Sequence, residues 1–510
     1  MTKKFYITTP LYYVNASPHI GHAYTTLAAD VYARWKRMSG HNVHLLTGTD
    51  EHGSKIEQAA AAAQMSPQAY ADKISAEFRE LWGHLDVVYD DFIRTTEPRH
   101  KEGVQAAFKA LVASGDAYKG VYKGYYCVSD ETYWTETEAP PDEKGRRLCP
   151  NADCRRELKL TEEESWFFKL SQYGPRLLAY YKEHPTFLQP PQRAKEIENF
   201  VAEGLRDLAI SRTKVAWGVP VPDDPAHVVY VWFDALLNYA TAAGWRPGQA
   251  APFNELWPAD IHLVGKEIYR FHTVIWPAML MALGVAPPRS VYAHGWWTAE
   301  GQKMSKSKGN FVDPQDIIRE YGLDAFRYFL FREMPFGNDG NFSAEAMKRR
   351  YNAELANDLG NLVSRVTNMV DKYLNGDLPG RPNLDVAVVT KRAVAAAPDI
   401  ADAMDRLAFQ DALNRIWAIV GELNLTVDQR KPWVLAKTDP AALKGLLFDL
   451  VGALRVVGGW LTPFMPSTAA KIQMALGVRH YPGPLSVHEI IEGPAGQRIL
   501  PSVPLFPRKP

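Results

Sequence analysis

The chain has 510 residues, 46% of them hydrophobic, with 58 lysines and arginines balanced by 58 aspartates and glutamates and only three cysteines. That length exceeds one ordinary core and points to about three domains, while the composition is ordinary for a globular protein and does not favour disorder. Zero net charge argues against a uniformly basic nucleic-acid binder, though not against local basic surfaces; three cysteines exclude a disulfide framework and fit a reducing compartment.

At the N-terminus, Thr8, Thr9, Pro10 and Asn15 interrupt any apolar leader behind Lys3 and Lys4. The first 50 residues read as strand "KKFYITT", helix "GHAYTTLAADVYARWKRM" stopped by Gly40, and strand "NVHLLTG". This βαβ unit implies an α/β fold with a doubly wound parallel sheet. In such sheets ligands bind beyond the carboxyl ends of the strands, where Asn15 to His22 and Thr47 to His52 fall. From about Gly115 to Thr213 the character changes to "YKGYYCVSDETYW", a turn-rich "APPDEKGRRLCPNADC" and helical stretches, which reads as an insertion. Strands are expected again at "HVVYVWF", "DIHLVG" and "SVYAHGWW", with helices between them.

The most hydrophobic segment, "TVIWPAMLMALGVA", is too short to span a bilayer and contains Pro277, so it reads as a buried helix. No membrane partner is expected, and the expected location is the cytoplasm. Past Ser343 the chain turns helical, with an apolar stripe at Leu413, Ile416, Trp417, Val420 and Leu423. "NGDLPGRPN" is a loop between helices, and the tail "LPSVPLFPRKP" is too rich in proline for helix and should run extended over the surface. The basic words "MKRR" (347–350) and "ISRTK" (210–214) read as solvated faces. The expected divisions are 1–114, an insertion over 115–213, 214–342, and a helical region over 343–510.

Neither G-x-x-x-x-G-K-[ST] nor G-x-G-x-x-G occurs, so phosphate must be bound in another way. In "PHIGH", His19 and His22 are three apart on the first turn of a helix and share a face. Gly21 leaves room for a base or ribose, and a helix N-terminus favours phosphate. Two imidazoles there can hold charge developing on a phosphoryl oxygen, although two partly exposed histidines at a cap would read the same way. In "GQKMSKSKGN", Lys303 and Lys306 offer point charges to a polyphosphate; a solvated basic loop is the alternative.

"HIGH" near the N-terminus with "KMSKS" near residue 300 resembles the class I aminoacyl-tRNA synthetases. "TGTDEHG", "YVWFDALLNY" and "GKEIYRFHTVIWPAML", with "NLVSR" and "RKPWVL" in the helical region, resemble the methionyl-tRNA synthetases over nearly the whole chain. The resemblance implies a Rossmann-like catalytic domain split by a connective insertion, followed by an α-helical bundle that binds the anticodon. It implies ATP, with magnesium, bound by His19, Gly21 and His22 and by the loop Lys303, Met304, Ser305, Lys306 and Ser307. Among these, His19, His22, Lys303 and Lys306 act on the phosphates. Asp50 would pair with the methionine ammonium, Leu11 and Tyr13 would close over the amino acid, and Trp232, Ala235, Leu236, Tyr239, His272 and Trp276 would line the side-chain pocket. Aromatic walls suit a thioether, with S···π contacts of roughly 0.3–1.5 kcal/mol each, although ordinary core is the alternative for the same residues. Asn361, Arg365 and Trp433 would read the CAU anticodon by hydrogen bonds and stacking.

Many members of that family carry a zinc knuckle in the insertion. Here Asp130 stands where a second cysteine is expected after Cys127, and Cys149 and Cys154 are irregularly spaced. The stretch resembles the branch without zinc, so no bound metal is expected; Cys127, Asp130, Cys149 and Cys154 are the alternative ligand set. The short insertion leaves no room for an editing domain, which fits methionine or cysteine better than the branched aliphatic residues. With no appended domain expected after the helices, a monomer acting on methionine, ATP and tRNA(Met) is implied.

Overall fold

The computed structural model describes residues 3–129, 132–134, 136–151, 154–248, 253–299, 302–303, 312–378, 387–478, 498–501 and 504–510. It divides into two compact units, one of Met1–Lys3, His19–Val43 and His294–Pro510, the other of Lys4–Pro18 and His44–Ala293.

The second unit is built on a seven-stranded sheet of β1 (Lys4–Thr8), β2 (Tyr12–Tyr13), β3 (Asn42–Asp50), β4 (Asp91–Arg94), β5 (Leu188–Gln189), β6 (Ile261–Gly265) and β7 (Val291–His294). The order is β2-β3-β1-β6-β7-β5, with β4 also paired to β3. The pairings β1–β6, β2–β3, β3–β4 and β7–β5 are all parallel. The strands are buried almost throughout, as parallel sheets covered on both faces are. In the sheet register Tyr13 lies opposite Asp50, and Thr8 opposite His262. Gly48 in β3 cannot be another residue, because a Cβ there would come within 1.9 Å of the Ile93 carbonyl oxygen.

The insertion has its own antiparallel sheet, in which Ala117–Cys127 pairs along Lys159–Phe168, with Thr132–Trp134 and Leu208–Ala209 at its edges.

Two sequence expectations are corrected in this unit. In "HVVYVWF" only Val228–Val229 is strand, and Val231–Leu236 is helix. A continuous apolar run carries no period, so strand and buried helix look alike in sequence. "ISRTK" is no solvated face either. Arg212 is buried, donates to the Ala209 and Ser211 carbonyls, and lies over the Tyr230 ring at 4.1 Å.

The first unit contains the Ile20–Met38 helix and the helical C-terminal region. Helical segments Ala344–Arg350, Tyr351–Gly360 and Asn361–Leu374 run end to end, the middle one π-helical. In "MKRR", Lys348 and Arg349 are exposed, but Met347 is buried and Arg350 pairs with Glu333 and Glu354. The long helices Phe409–Arg430 and Pro440–Leu461 bury Leu413, Ile416, Trp417, Val420 and Leu423 on one and Leu447, Leu450 and Leu454 on the other. The described residues of the tail carry no helix: Lys509 exchanges two hydrogen bonds with Asn352, and Phe506 packs edge-on to Tyr351. No helix among the described residues is long and apolar enough to cross a membrane.

Candidate active site

His19 is the N-cap of the Ile20–Met38 helix, and His22 is its third residue. The Gly21 amide donates to His19 Nδ1 at 3.1 Å, and the His19 amide donates to His22 Nδ1 at 3.2 Å. This is a capping box in which imidazoles take the usual places of serine and glutamate. A backbone N–H can only donate, so both Nδ1 atoms carry lone pairs and both ring protons reside on Nε2. The rings stack with centroids 3.8 Å apart, which two imidazolium ions would resist. Burial, and then the neighbouring His19, hold His22 well below the ordinary histidine range. A Cβ at Gly21 would lie 2.9 Å from His19 Cε1, so glycine there keeps the stacked pair in place.

The helix is anchored at its other end. Asp30 and Arg327 form a fully buried ion pair, and Arg327 also donates to the Pro463 and Phe464 carbonyls. Trp35 and Lys36 both donate to Asp405, and the Tyr32 hydroxyl to its carbonyl. Beneath the first turn, Thr25 Oγ1 lies 2.7 Å from His294 Nε2.

In the other unit, Asp50 ends β3, largely buried, and is followed by two immobilised residues, Glu51 and His52. Glu51 is gripped by Arg94 through two bonds of 2.7 and 2.9 Å and by the Thr49 hydroxyl. His52 Nδ1 lies 2.6 Å from Asp234, a buried carboxylate that also takes His100 Nε2 at 2.7 Å. Asp234 is held down at about 2 because the two histidines outweigh the cost of burying it. It belongs to the Val231–Leu236 helix, which carries Trp232, Ala235 and Leu236. That helix is thereby tied to the segment bearing Asp50. Tyr13, opposite Asp50, donates its hydroxyl to the His52 carbonyl at 2.9 Å.

The residues expected to line the side-chain pocket are largely aromatic and mostly buried. Leu236, Tyr239 and Trp276 belong to the buried core, with Leu11, Trp232 and Phe271 packed against it half-buried. Trp232 stacks on Phe271 at 3.8 Å. His272 sits in a π-helical turn, Phe271–Ile275, just before the Trp276–Ala282 helix; such turns recur at functional sites. Its Nδ1–H donates to the Ile268 carbonyl, so Nε2 accepts the Tyr239 hydroxyl at 2.7 Å. Burial lowers His272 to about 4, and burial, with Asp50 among the nearby charges, pushes Tyr239 well up. Sequence reasoning missed His52, His100, Asp234 and His262. The available signal was a polar residue inside an apolar run, as in "WFDA" and "DIHLVG".

Of the lysine loop, Lys303 contributes backbone to a short strand, Gln302–Lys303; Met304, Ser305, Lys306 and Ser307 lie outside the described residues. At the helical end, Asn361 and Trp433 are exposed, and Arg365 pairs at 2.8 Å with Asp428, five residues before Trp433. In the insertion the sulfurs of Cys127, Cys149 and Cys154 lie within 4.8 Å of one another, and Asp130 lies outside the described residues. Three thiols are one ligand short of a closed tetrahedral site.

The family model for class I tRNA synthetases (M) matches residues 5–367. A methionine–tRNA ligase of Caldanaerobacter subterraneus subsp. tengcongensis is 49% identical over 483 residues, covering 94% of this chain and 74% of that protein. One from Bacillus subtilis is 47% identical over 485 residues, covering 93% and 73%. Among solved structures, Mycobacterium tuberculosis methionyl-tRNA synthetase in complex with methionyl-adenylate superposes with a TM-score of 0.91 at 40% identity, covering 99% of this chain and 100% of that one. With a Rossmann-like parallel sheet, a helical C-terminal region and these relatives along nearly its whole length, the chain belongs to the methionine–tRNA ligase family of class I tRNA synthetases.

Proposed function

We propose the following division of labour in a chain that, as a methionine–tRNA ligase, activates L-methionine with ATP and passes the methionyl group to tRNA(Met). In the first step the methionine carboxylate attacks the α-phosphate and pyrophosphate leaves. His19 and His22 donate Nε2–H bonds to the phosphoryl oxygens as the pentavalent charge builds, and Gly21 keeps the approach open. Lys303 and Lys306, flanked by Met304, Ser305 and Ser307, draw the β- and γ-phosphates; this part rests on the sequence motif. Magnesium enters with ATP as its substrate complex, held chiefly by phosphate oxygens. In the second step the terminal ribose hydroxyl of tRNA attacks the methionyl carbonyl and releases AMP. No covalent enzyme intermediate is needed, because positioning and electrostatics supply the rate.

Asp50 accepts the substrate ammonium. Leu11, Tyr13 and Trp232 form the half-buried rim, and Ala235, Leu236, Tyr239, His272 and Trp276 the inner wall. Asn361, Arg365 and Trp433 meet the anticodon. The functional divisions follow the sequence: catalytic halves 1–114 and 214–342, connective 115–213 and anticodon-binding 343–510. The chain works as a cytoplasmic monomer, which light scattering checks for oligomeric state. The knuckle is read as metal-free, its thiols packed with Ala139 and Leu158. The alternative ligand set for zinc is Cys127, Asp130, Cys149 and Cys154, where the metal would only staple the knuckle. Stoichiometric zinc in the purified protein overturns that part alone.

The observation that carries the reading is the imidazole capping box, which places two neutral N–H donors at a helix N-terminus, where phosphate charge is favoured. Pyrophosphate exchange against a panel of amino acids tests it. Methionine should drive exchange best; a better response to any other amino acid removes the assignment.

A further inference from the structure

His294 ends β7 and is buried against the Ile20–Met38 helix, where Thr25 stands one turn on from Gly21. Thr25 Oγ1 lies 2.7 Å from His294 Nε2 and 3.2 Å from the Gly21 carbonyl oxygen. The other ring nitrogen, Nδ1, lies 2.8 Å from the Gly295 carbonyl oxygen. A carbonyl can only accept, so the ring proton is on Nδ1 and Nε2 takes the Thr25 hydroxyl proton. The Tyr24 ring meets the imidazole edge-on at 5.3 Å. Two successive residues of the histidine helix are thus fitted to one buried side chain.

The backbone after His294 is pinned as well. A Cβ at Gly295 would fall 2.2 Å from the Asn338 carbonyl oxygen. The Trp296 amide donates to Asp339 at 2.8 Å, and the Gly340 amide to the Trp296 carbonyl at 2.7 Å. The Trp297–Ala299 strand then pairs with Gln302–Lys303, where the lysine loop begins. One short segment therefore meets the first turns of the histidine helix at one end and bears Lys303 at the other.

We propose that His294 is a positioning residue for adenylate formation: through Thr25 it holds the His19–His22 turn against the root of the strand pair that bears Lys303. The proposal rests on the role assigned above to His22. A donor stabilises developing charge only when it is aimed within hydrogen-bond distance, and a displacement of about 1 Å can cost about 10²-fold in rate. A hydroxyl–imidazole bond between buried groups is stronger than the same bond in water, so it can fix that distance.

The test is methionine-dependent pyrophosphate exchange on wild type, Thr25→Val, His294→Leu, His294→Gln and the double variant Thr25→Val/His294→Leu. Thr25→Val is also placed in His22→Ala. His294→Leu should lower kcat by about 30-fold and Thr25→Val by about tenfold, with the KM for methionine within about twofold. The double variant should be no slower than His294→Leu alone, because both changes remove one bond. His294→Gln, whose side-chain carbonyl can accept the Thr25 hydroxyl, should stay within about threefold of wild type. In His22→Ala, Thr25→Val should cost less than about twofold, because the donor it aims is gone. If His294→Leu does not fold, His294→Gln and Thr25→Val in its two backgrounds decide. Losses that multiply in the double variant overturn the proposal, as does a glutamine variant as slow as the leucine one. So does a Thr25→Val cost that is the same with and without His22. Wild type without methionine-dependent exchange removes the functional reading itself. Normal wild-type exchange with an undiminished Thr25→Val removes only the role of His294.

Discussion

Two pairs of histidines carry opposite protons in this molecule. At the start of the Ile20–Met38 helix, His19 and His22 accept backbone amides on Nδ1 and hold their protons on Nε2. In the aromatic wall, His262 and His272 accept indole and phenol donors on Nε2 and hold their protons on Nδ1. The side chain is the same, but the first pair is half-buried and the second fully buried. The neighbours decide what each imidazole can do. A cap leaves each ring proton on Nε2 at a helix N-terminus, whereas the buried network uses the imidazoles to take up indole and phenol donors.

The largest break in this contrast should come from the carboxylate that ties the pocket helix to the Asp50 segment. Asp234→Ala leaves His52 and His100 buried without their partner, and losing one member of a buried pair costs about 3–5 kcal/mol. Urea unfolding measures it, and a loss under about 1 kcal/mol would show that the hub is dispensable. On the cap side, His22→Ala should slow adenylate formation by on the order of 10²–10³ while the KM for methionine stays within about twofold, because the lost donor acts mainly in the transition state. A raised methionine KM with normal turnover would erase the distinction between the two pairs.

Acid sharpens the comparison. His272 is lowered to about 4 from 6.5 by burial, so its contribution is full above about pH 6.5. Below that the unfolded state binds the proton first, and stability is lost as the pH falls through about 4. The loss is on the order of 3 kcal/mol. His262 and His22 shift the same way. Asp234, held at about 2 against 3.8, adds a second loss only below about pH 4. Urea-derived stability should therefore already decline between pH 7 and 5, ahead of carboxylate protonation; a flat profile there contradicts neutral buried rings.

What the sequence made legible divides along the same line. Period and punctuation gave the opening βαβ unit, the Phe409–Arg430 stripe and the place of His19 and His22 at the start of a helix, because these are local; that His19 is the cap itself, one residue before the helix, was not read. The residues proposed for the methionine pocket were reachable only through resemblance, since aromatic spacing in "WFDALLNY" also fits ordinary core. His262 and Asp234 were not legible. Their partners, Thr8, His52 and His100, are brought to them by strand register and packing across 134 to 254 residues of chain. The buried Arg212 was misread because a short basic word gives no sign that Tyr230 will cover it.

The smallest effect is expected at the exposed end of the helical region, where the proposed recognition of tRNA would take place on an open surface. Trp433 is 45% exposed on the Pro432–Thr438 helix, entered through Lys431 with a left-handed φ of 45°. A large exposed indole adds little to the fold, whereas stacking on a base is worth about 1–3 kcal/mol. Trp433→Ala should therefore raise the KM for tRNA in charging by roughly 5- to 150-fold and leave methionine-dependent pyrophosphate exchange unchanged. The split between the two assays matters more than the size of either effect. A buried aromatic such as Tyr239 should damage both steps when truncated, because the proposed methionine pocket serves both. If Trp433→Ala also damages both equally, the indole is packing rather than recognition, and the contrast between enclosed and exposed aromatics does not hold at this end of the chain.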